Sequence, residues 1–229
     1  MTKSPYFNNK TFMFLEELAA NNNREWFQNN KERYEAHVKE PAIRFISDFG
    51  PHLKQISQYF VADPRPSGGS MFRIYRDVRF SKDKRPYKTN LGIQFRHSHG
   101  KDVHAPGFYL NIEPHNVFAG VGIWHPDSTT LRKIRDAIVE NPADWKRASN
   151  QKKFKSRYEL AGESLKRAPK GYDGDHPLIE DLRRKDFIGT TALNHRDVGG
   201  PDFPKHFAEI CRDGVPLIKF LCKAIEVPF

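Results

Sequence analysis

Hydrophobic residues first recur at helical intervals. Phe12, Leu15, Leu18 and Ala19 follow a period near 3.6 after Thr11, a residue type suited to capping a helix. Asn23 is placed to cap a second helix carrying Trp26, Phe27, Tyr34 and Val38, which Pro41 interrupts. A third amphipathic run, Ala42, Phe45, Ile46, Phe49, Leu53 and Ile56, is expected to bend at Gly50-Pro51. From Ser70 to about Trp124 the period becomes two. Strands are predicted over 71–80, 90–96, 108–113 and 117–124, with a polar loop from His97 to Gly107 and a tight turn at Pro114-His115-Asn116. Helical spacing returns from Asp127 through Leu131, Ile134 and Ile138, up to Asn141-Pro142. A short helix near 177–185, a short strand over 187–192 and a last helix from about Asp202, with a break expected at Gly214-Val215-Pro216, complete the pattern. Helices, then closely spaced strands, then helices predict an α+β fold. Its antiparallel sheet of about four to six strands would be covered by helices from both the N- and C-terminal parts.

Alternation sorts each strand into two faces. Leu91, Ile93 and Phe95 oppose Gly92, Gln94 and Arg96, while Phe108, Leu110 and Ile112 oppose Tyr109, Asn111 and Glu113. Val117, Ala119, Val121 and Ile123 oppose Phe118, Gly120, Gly122 and Trp124. On 71–80, Arg73, Tyr75, Asp77 and Arg79 share one face, and Arg76 falls with Phe72, Ile74, Val78 and Phe80 on the other. The polar faces together would collect Arg73, Asp77, Arg79, Gln94, Tyr109, Asn111 and Glu113 around bare backbone at Gly92, Gly120 and Gly122. Glycine weakens a strand and often marks close approach by a ligand. This face therefore reads as a pocket floor, the alternative being an ordinary solvated sheet face. Arg76, set among phenylalanines, is expected either to be turned out by a bulge or to be buried against a carboxylate such as a helix Glu.

Charge sharpens that picture. Residues 73–88 hold seven Lys/Arg against two Asp, a net +5 that is half of the chain's +10. Guanidinium forks suit carboxylate or phosphate, so Arg73 and Arg79 are the expected clamp for an anion, oriented by Gln94, Tyr109 and Asn111. The tip 81–88 reads as a rim or lid bringing Lys82, Lys84 and Lys88 over that anion, or simply as a solvated turn. Asp77 and Glu113 are the first candidates for a general base, although Asp77 between two arginines suits holding their guanidinium groups equally well.

The run Arg73-x-x-Arg76-Asp77-x-Arg79-Phe80, followed by Asp83-Lys84 and Tyr87, resembles the hallmark of a bacterial and fungal family catalogued as domain of unknown function 2461. Similar parts are Leu18-Ala19-Ala20-Asn21-Asn22-Asn23-Arg24-Glu25-Trp26-Phe27, Gly107-Phe108-Tyr109-Leu110 and Lys166-Arg167-Ala168-Pro169-Lys170-Gly171-Tyr172. The resemblance spans nearly the whole chain and implies a single domain over 1–229. It brings no assigned activity.

Other signals bound the function. No apolar run approaches the ~18 residues of a membrane span, and the N-terminal segment, broken by Glu16 and Glu17, is not a secretory signal. Cys211 and Cys222 stand eleven apart in a helical pattern, a rise of about 16 Å that puts a disulfide out of reach. They read as reduced core thiols of a cytoplasmic protein. His97, His99 and His104, beside Asp102, form a histidine-rich loop without a full metal-ligand set. No Walker loop, dinucleotide fingerprint or nucleophile elbow names a cofactor. The stretch 146–170 carries nine Lys/Arg against Glu159 and Glu163, interleaved with Phe154 and Tyr158, a mixture that can bind nucleic acid. Three expectations follow: a site for a small phosphate- or carboxylate-bearing ligand on an arginine-rich sheet face; a nucleic-acid-binding module using 146–170 and the hairpin rim; or an interaction domain without a small-molecule site.

Overall fold

A computed structural model describes residues 5–100 and 104–229. Helix α1 (Asn9–Ala20) is capped by Asn8, whose side chain accepts from the Lys10 amide, and α2 (Arg24–Asn29) is capped by Asn23, which accepts from Trp26. Helix α3 (Lys31–Tyr34) passes through a π-helical turn at Glu35–Lys39 into α4 (Glu40–Ile56). Pro41 lies just past the π-helical turn. The His37 carbonyl four residues before it, which a proline cannot serve as donor, accepts from Thr11 Oγ1 at 2.7 Å instead. The bend expected at Gly50-Pro51 does not divide α4. Ala42, Phe45, Ile46, Phe49 and Leu53 form one fully buried stripe along it, and burial at roughly 1.5–3 kcal/mol per large side chain outweighs the local proline cost.

The sheet has the order β1-β2-β3-β5-β4, with every pairing antiparallel. Its strands are β1 (Leu91–Arg96), β2 (Gly107–Ile112), β3 (Phe118–Ile123), β4 (Glu159–Ala161) and β5 (Phe187–Ala192). Between β3 and β4 lie α5 (Ser128–Glu140), capped by Asp127, then α6 (Pro142–Asn150) and α7 (Lys152–Arg157). Helices α8 (Ile179–Leu182), α9 (His195–Gly199) and α10 (Phe203–Ala224) follow, and α10 runs unbroken through Gly214-Val215-Pro216. An α+β architecture with helices from both ends of the chain is the result.

One face of the sheet is buried. Ile93, Phe95, Phe108, Leu110, Ala119, Val121 and Ile123 point to helices α4 and α10, with Phe95 among Phe45, Phe49 and Phe207 at ring separations of 4.6–6.2 Å. Helix α10 approaches β3 so closely that a Cβ on Gly214 would stand 2.6 Å from Val121 Cγ1. Cys211 and Cys222 are buried and unbridged in α10, and burial pushes the Cys222 thiol up to about 12. No helix among the described residues is long and apolar enough to cross a membrane.

The predicted strand over 71–80 does not form. Its first residues lie along the edge of β1, with the Phe72 amide donating to Gly92 O at 2.9 Å. It then turns away to pair with 86–88 through a single bridge, Tyr75 with Tyr87. The physical reason is local competition. In Asp77-Val78-Arg79 and Asp83-Lys84-Arg85 the aspartate accepts from the arginine's own backbone amide at 3.3 and 3.0 Å, and such bonds displace ladder pairing. Alternation of exposure survives only in part. Ile74 is buried while Arg73, Tyr75, Asp77 and Arg79 are exposed, but Phe80, expected on the Ile74 side, is 95% exposed because the segment leaves the sheet.

Candidate functional site

The uncovered face of the sheet carries few side chains, because glycine recurs where the strands meet. Cross-strand partners set Gln94 beside Tyr109, Tyr109 beside Gly120, and Gly120 beside Thr190; the next row is Arg96, Gly107, Gly122 and Ile188. Above these rows lies a cleft of about 460 Å³ lined by Gly107, Gly120 and Gly122 at its base. Phe72, Tyr109, Phe118 and Trp124 form its aromatic flanks, and Lys88, Asn90, Gln94 and Thr190 supply its polar groups.

The glycines differ in cause. Gly122 has φ 124, and a Cβ there would overlap the Phe187 carbonyl oxygen, so backbone geometry alone demands glycine. A Cβ on Gly120 would meet nothing nearer than Tyr109 Cβ at 3.5 Å. Neither the backbone nor packing excludes a side chain there. Open space over Gly120 is what keeps the cleft deep.

Lys88 is the cleft's cation. Its amine lies 5.2 Å from the centre of the Phe72 ring and forms no hydrogen bond or ion pair among the described residues. Burial, with a smaller contribution from the Arg73 charge, holds its pKa below the usual lysine value. Tyr109 is pushed up to about 12 by burial and then by the charge of Glu113. Its hydroxyl donates to Asn111 Oδ1 at 3.3 Å, which also accepts from Asn90 Nδ2 at 2.7 Å, while Asn111 Nδ2 donates to Asn116 O. Asn111 is thereby buried and holds Tyr109 from one row away, while Asn90 also lines the cleft.

Of the residues expected to converge, Lys88, Gln94, Tyr109, Gly120 and Gly122 line the cleft, and Asn111 supports it from one row away. The rest are elsewhere. Arg79 forks onto Asp77 at 2.7 and 3.0 Å, with 77% of the arginine side chain exposed. That pairing holds the Asp77 carboxyl down to about 2, unsuited to general-base work near neutrality. Arg73 is exposed, its charge bearing on Asp77 and Lys88. Glu113 accepts from Thr89 Oγ1 at 3.4 Å and does not line the cleft. Lys82 is exposed, and Lys84 donates to Val78 O at 3.0 Å. Arg76 meets neither a helix Glu nor a bulge: its partner is Asp83, at 2.8 Å in the same hairpin.

Residues 10–220 match the family described as conserved hypothetical protein, DUF2461. The chain belongs to the DUF2461 family. The matched range runs from α1 into α10, so every strand and every cleft residue of this DUF2461 chain lies inside it. No curated protein matches it.

Other candidates resolve into structural roles. His97 is buried with Nε2 2.7 Å from Pro228 O, and His104 Nδ1 lies 3.1 Å from Trp124 O. Asp102 lies outside the described residues, among which no group of three or more His, Cys, Asp or Glu is placed to hold a metal. In the basic stretch, Phe154 and Tyr158 are core residues, the Tyr158 hydroxyl donating to Ile210 O at 2.8 Å. They offer no face for base stacking. Sequence reasoning missed the aromatic flanks Phe72, Phe118 and Trp124, with Phe72 assigned to the opposite face, and it also missed Asn90, Ile188 and Thr190 as cleft residues. Extending alternation to 187–192 finds the last two, because β5 sets Ile188 opposite Gly122 and Thr190 opposite Gly120.

Proposed function

We propose that the cleft binds a small molecule with a flat or apolar body and one phosphate or carboxylate group. The body would lie over Gly120 between the aromatic flanks, and the anionic group would meet Lys88. The observation that carries this reading is Lys88, a half-buried ammonium in an aromatic-lined cleft with no carboxylate against it among the described residues. Such a charge is desolvated at a cost that an anionic ligand offsets. Asn90, Gln94 and Thr190 would orient the ligand, and Arg73 would add long-range attraction. Arginine character therefore belongs to the approach to the site rather than to its floor. One domain over 1–229 would carry the whole function.

Calorimetry with inorganic phosphate, benzoate and phenyl phosphate tests this. Benzoate and, most tightly, phenyl phosphate should bind above inorganic phosphate, because both join a flat body to an anionic group and phenyl phosphate carries the greater charge. Lys88→Gln should weaken phenyl phosphate binding at least tenfold, about 1.4 kcal/mol. Gly120→Val should abolish binding with little change in Tm. Equal binding by all three proteins sinks the reading.

A second reading keeps one observation in its favour. Phe80 is 95% exposed, flanked by Arg79, Lys82 and Lys84, a combination that single-stranded nucleic acid can use for stacking and phosphate contact. Fluorescence anisotropy with a labelled oligonucleotide should then show affinity that falls steeply with salt and drops in Phe80→Ala. No binding at low salt removes this alternative.

A further inference from the structure

The cleft ends at Trp124, and the next residue has an uncommon backbone. His125 lies in the left-handed region at φ 47, a conformation that persists in a non-glycine residue only where its surroundings enforce it. Asp186 enforces it. This carboxylate is 1% exposed; Oδ1 accepts the His125 amide at 2.7 Å and Oδ2 accepts the Glu163 amide at 2.9 Å. Gly162, at φ 101, makes room for it, since a Cβ there would overlap the Asp186 side chain. The ends of β3 and β4 and the start of β5 thus converge on one buried carboxylate.

The imidazole is part of the arrangement. Nδ1 of His125 stands 3.0 Å from Asp186 Oδ1, and 43% of the His125 side chain is exposed. Nε2 has no hydrogen bond among the described residues. The ring lies 4.1 Å from that of Trp124, centre to centre, and Trp124 lines the cleft. Tying loops together accounts for the two amide bonds but not for the imidazole. Asparagine, which tolerates left-handed backbone, would serve the turn as well.

We propose that His125 is a proton-transfer residue for molecules held in the cleft, with Asp186 as its positioning residue. This rests on the reading of the cleft as a ligand site, because Trp124 joins the two. Nε2 takes the proton of a hydroxyl or water at the Trp124 end of the ligand: the O–H bond breaks, the N–H bond forms, and the electron pair stays on oxygen. The imidazolium faces the Asp186 carboxylate, and the proton returns to the oxygen that departs or is regenerated. Among the described residues, charged or titratable groups nearby include Glu163, paired with Lys185 at 2.8 Å, Asp127, whose side chain caps α5, and His104, stacked at 6.4 Å on Trp124. The ligand class narrows to anion-bearing molecules with a hydroxyl or an oxygen leaving group at the end away from the anion.

Carbethoxylation by diethylpyrocarbonate, followed residue by residue by peptide mass spectrometry on the full chain, tests the pair without a known substrate. The imidazole nitrogen attacks a carbonyl carbon, a C–O bond of the anhydride breaks, and ethanol and carbon dioxide leave. His125 should react at least fivefold faster than His115, although 88% of the His115 side chain is exposed. Asp186→Asn should remove that advantage, and saturating phenyl phosphate should slow His125 alone. His125 reacting no faster than His115 overturns the proposal, whether or not the variant folds. Fast, Asp186-dependent reaction that phenyl phosphate fails to slow defeats the link to the cleft. Slow reaction alongside intact probe binding defeats the His–Asp pair and leaves the cleft reading standing. His125→Asn, expected to keep both Tm and phenyl phosphate binding, separates lost chemistry from lost backbone.

Discussion

Residues 73–88 carry a net +5, yet three of their four arginines face aspartates of the same stretch: Arg79 on Asp77, Arg85 and Arg76 on Asp83. These pairs are short, local and largely solvated, so water already screens most of what they could offer a ligand. At the end of the same stretch, Lys88 alone among the described cations lines the cleft, half-buried and without an ion pair among the described residues. A charge acts strongly on a ligand when it is desolvated and unmatched, and weakly when it is plentiful and paired. Density of cations along a sequence therefore locates a surface, whereas isolation of a cation inside a concavity locates a site.

The glycines provide the largest test of this contrast. Gly122→Ala should cost on the order of 3 kcal/mol, combining left-handed backbone with a clash against Phe187, and urea unfolding would register it. Gly120→Ala should change stability by less than about 0.5 kcal/mol. Comparable losses at both positions would mean that Gly120 is also a packing requirement, and the open floor would lose its rationale.

Lys88 gives the next effect. Its folded pKa lies below the ordinary value of 10.5, and a bound anion favours the charged form. Affinity for phenyl phosphate should hold near neutrality and fall as pH rises through that lowered value, before ordinary lysines titrate. Stability follows the opposite sign. Burial of the charged form penalises folding below the folded pKa, and the penalty is relieved as pH rises through it. Lys88→Met should accordingly raise Tm at neutral pH by about 1–2 °C, the response of a chain this size to roughly 0.5 kcal/mol. Flat affinity from neutral pH to beyond 10 would place the anion elsewhere.

The arginines give the smallest changes. Arg76, with 27% of its side chain exposed, bonds both Asp83 and the Arg85 carbonyl, so Arg76→Ala should cost about 1 kcal/mol. Arg79→Ala should cost under about 0.5 kcal/mol and leave phenyl phosphate binding unchanged in calorimetry. A tenfold loss of affinity in Arg79→Ala would restore the arginines to the site.

Much of the sheet was legible, because β1, β2 and β3 each alternate core-facing apolar residues with polar, small or aromatic ones over six positions. Strand β4 was not: three residues, Glu159–Ala161, carry no period, and they sit within a stretch dominated by charge. Local breakers misled at Gly50-Pro51 and Gly214-Val215-Pro216, where long buried stripes on α4 and α10 override them. The 71–80 segment misled in the other direction, since alternation was present but Asp-x-Arg turns took the backbone donors. Within the site, Gln94, Tyr109, Gly120 and Gly122 were readable from period two. His125 and Asp186 were not. They stand 61 residues apart, and only the closed sheet brings them together.

Gly214 of α10 presses on Val121, and Val121 shares its strand with Gly120 and Gly122, whose bare backbones form the floor of the cleft. The floor's height is thus set from behind, like a stage resting on a jack. A larger residue at 214 would drive β3 outward and make the cleft shallower; a smaller one at 121 would let it sink. The depth of the cleft is therefore open to adjustment from a helix that does not line it.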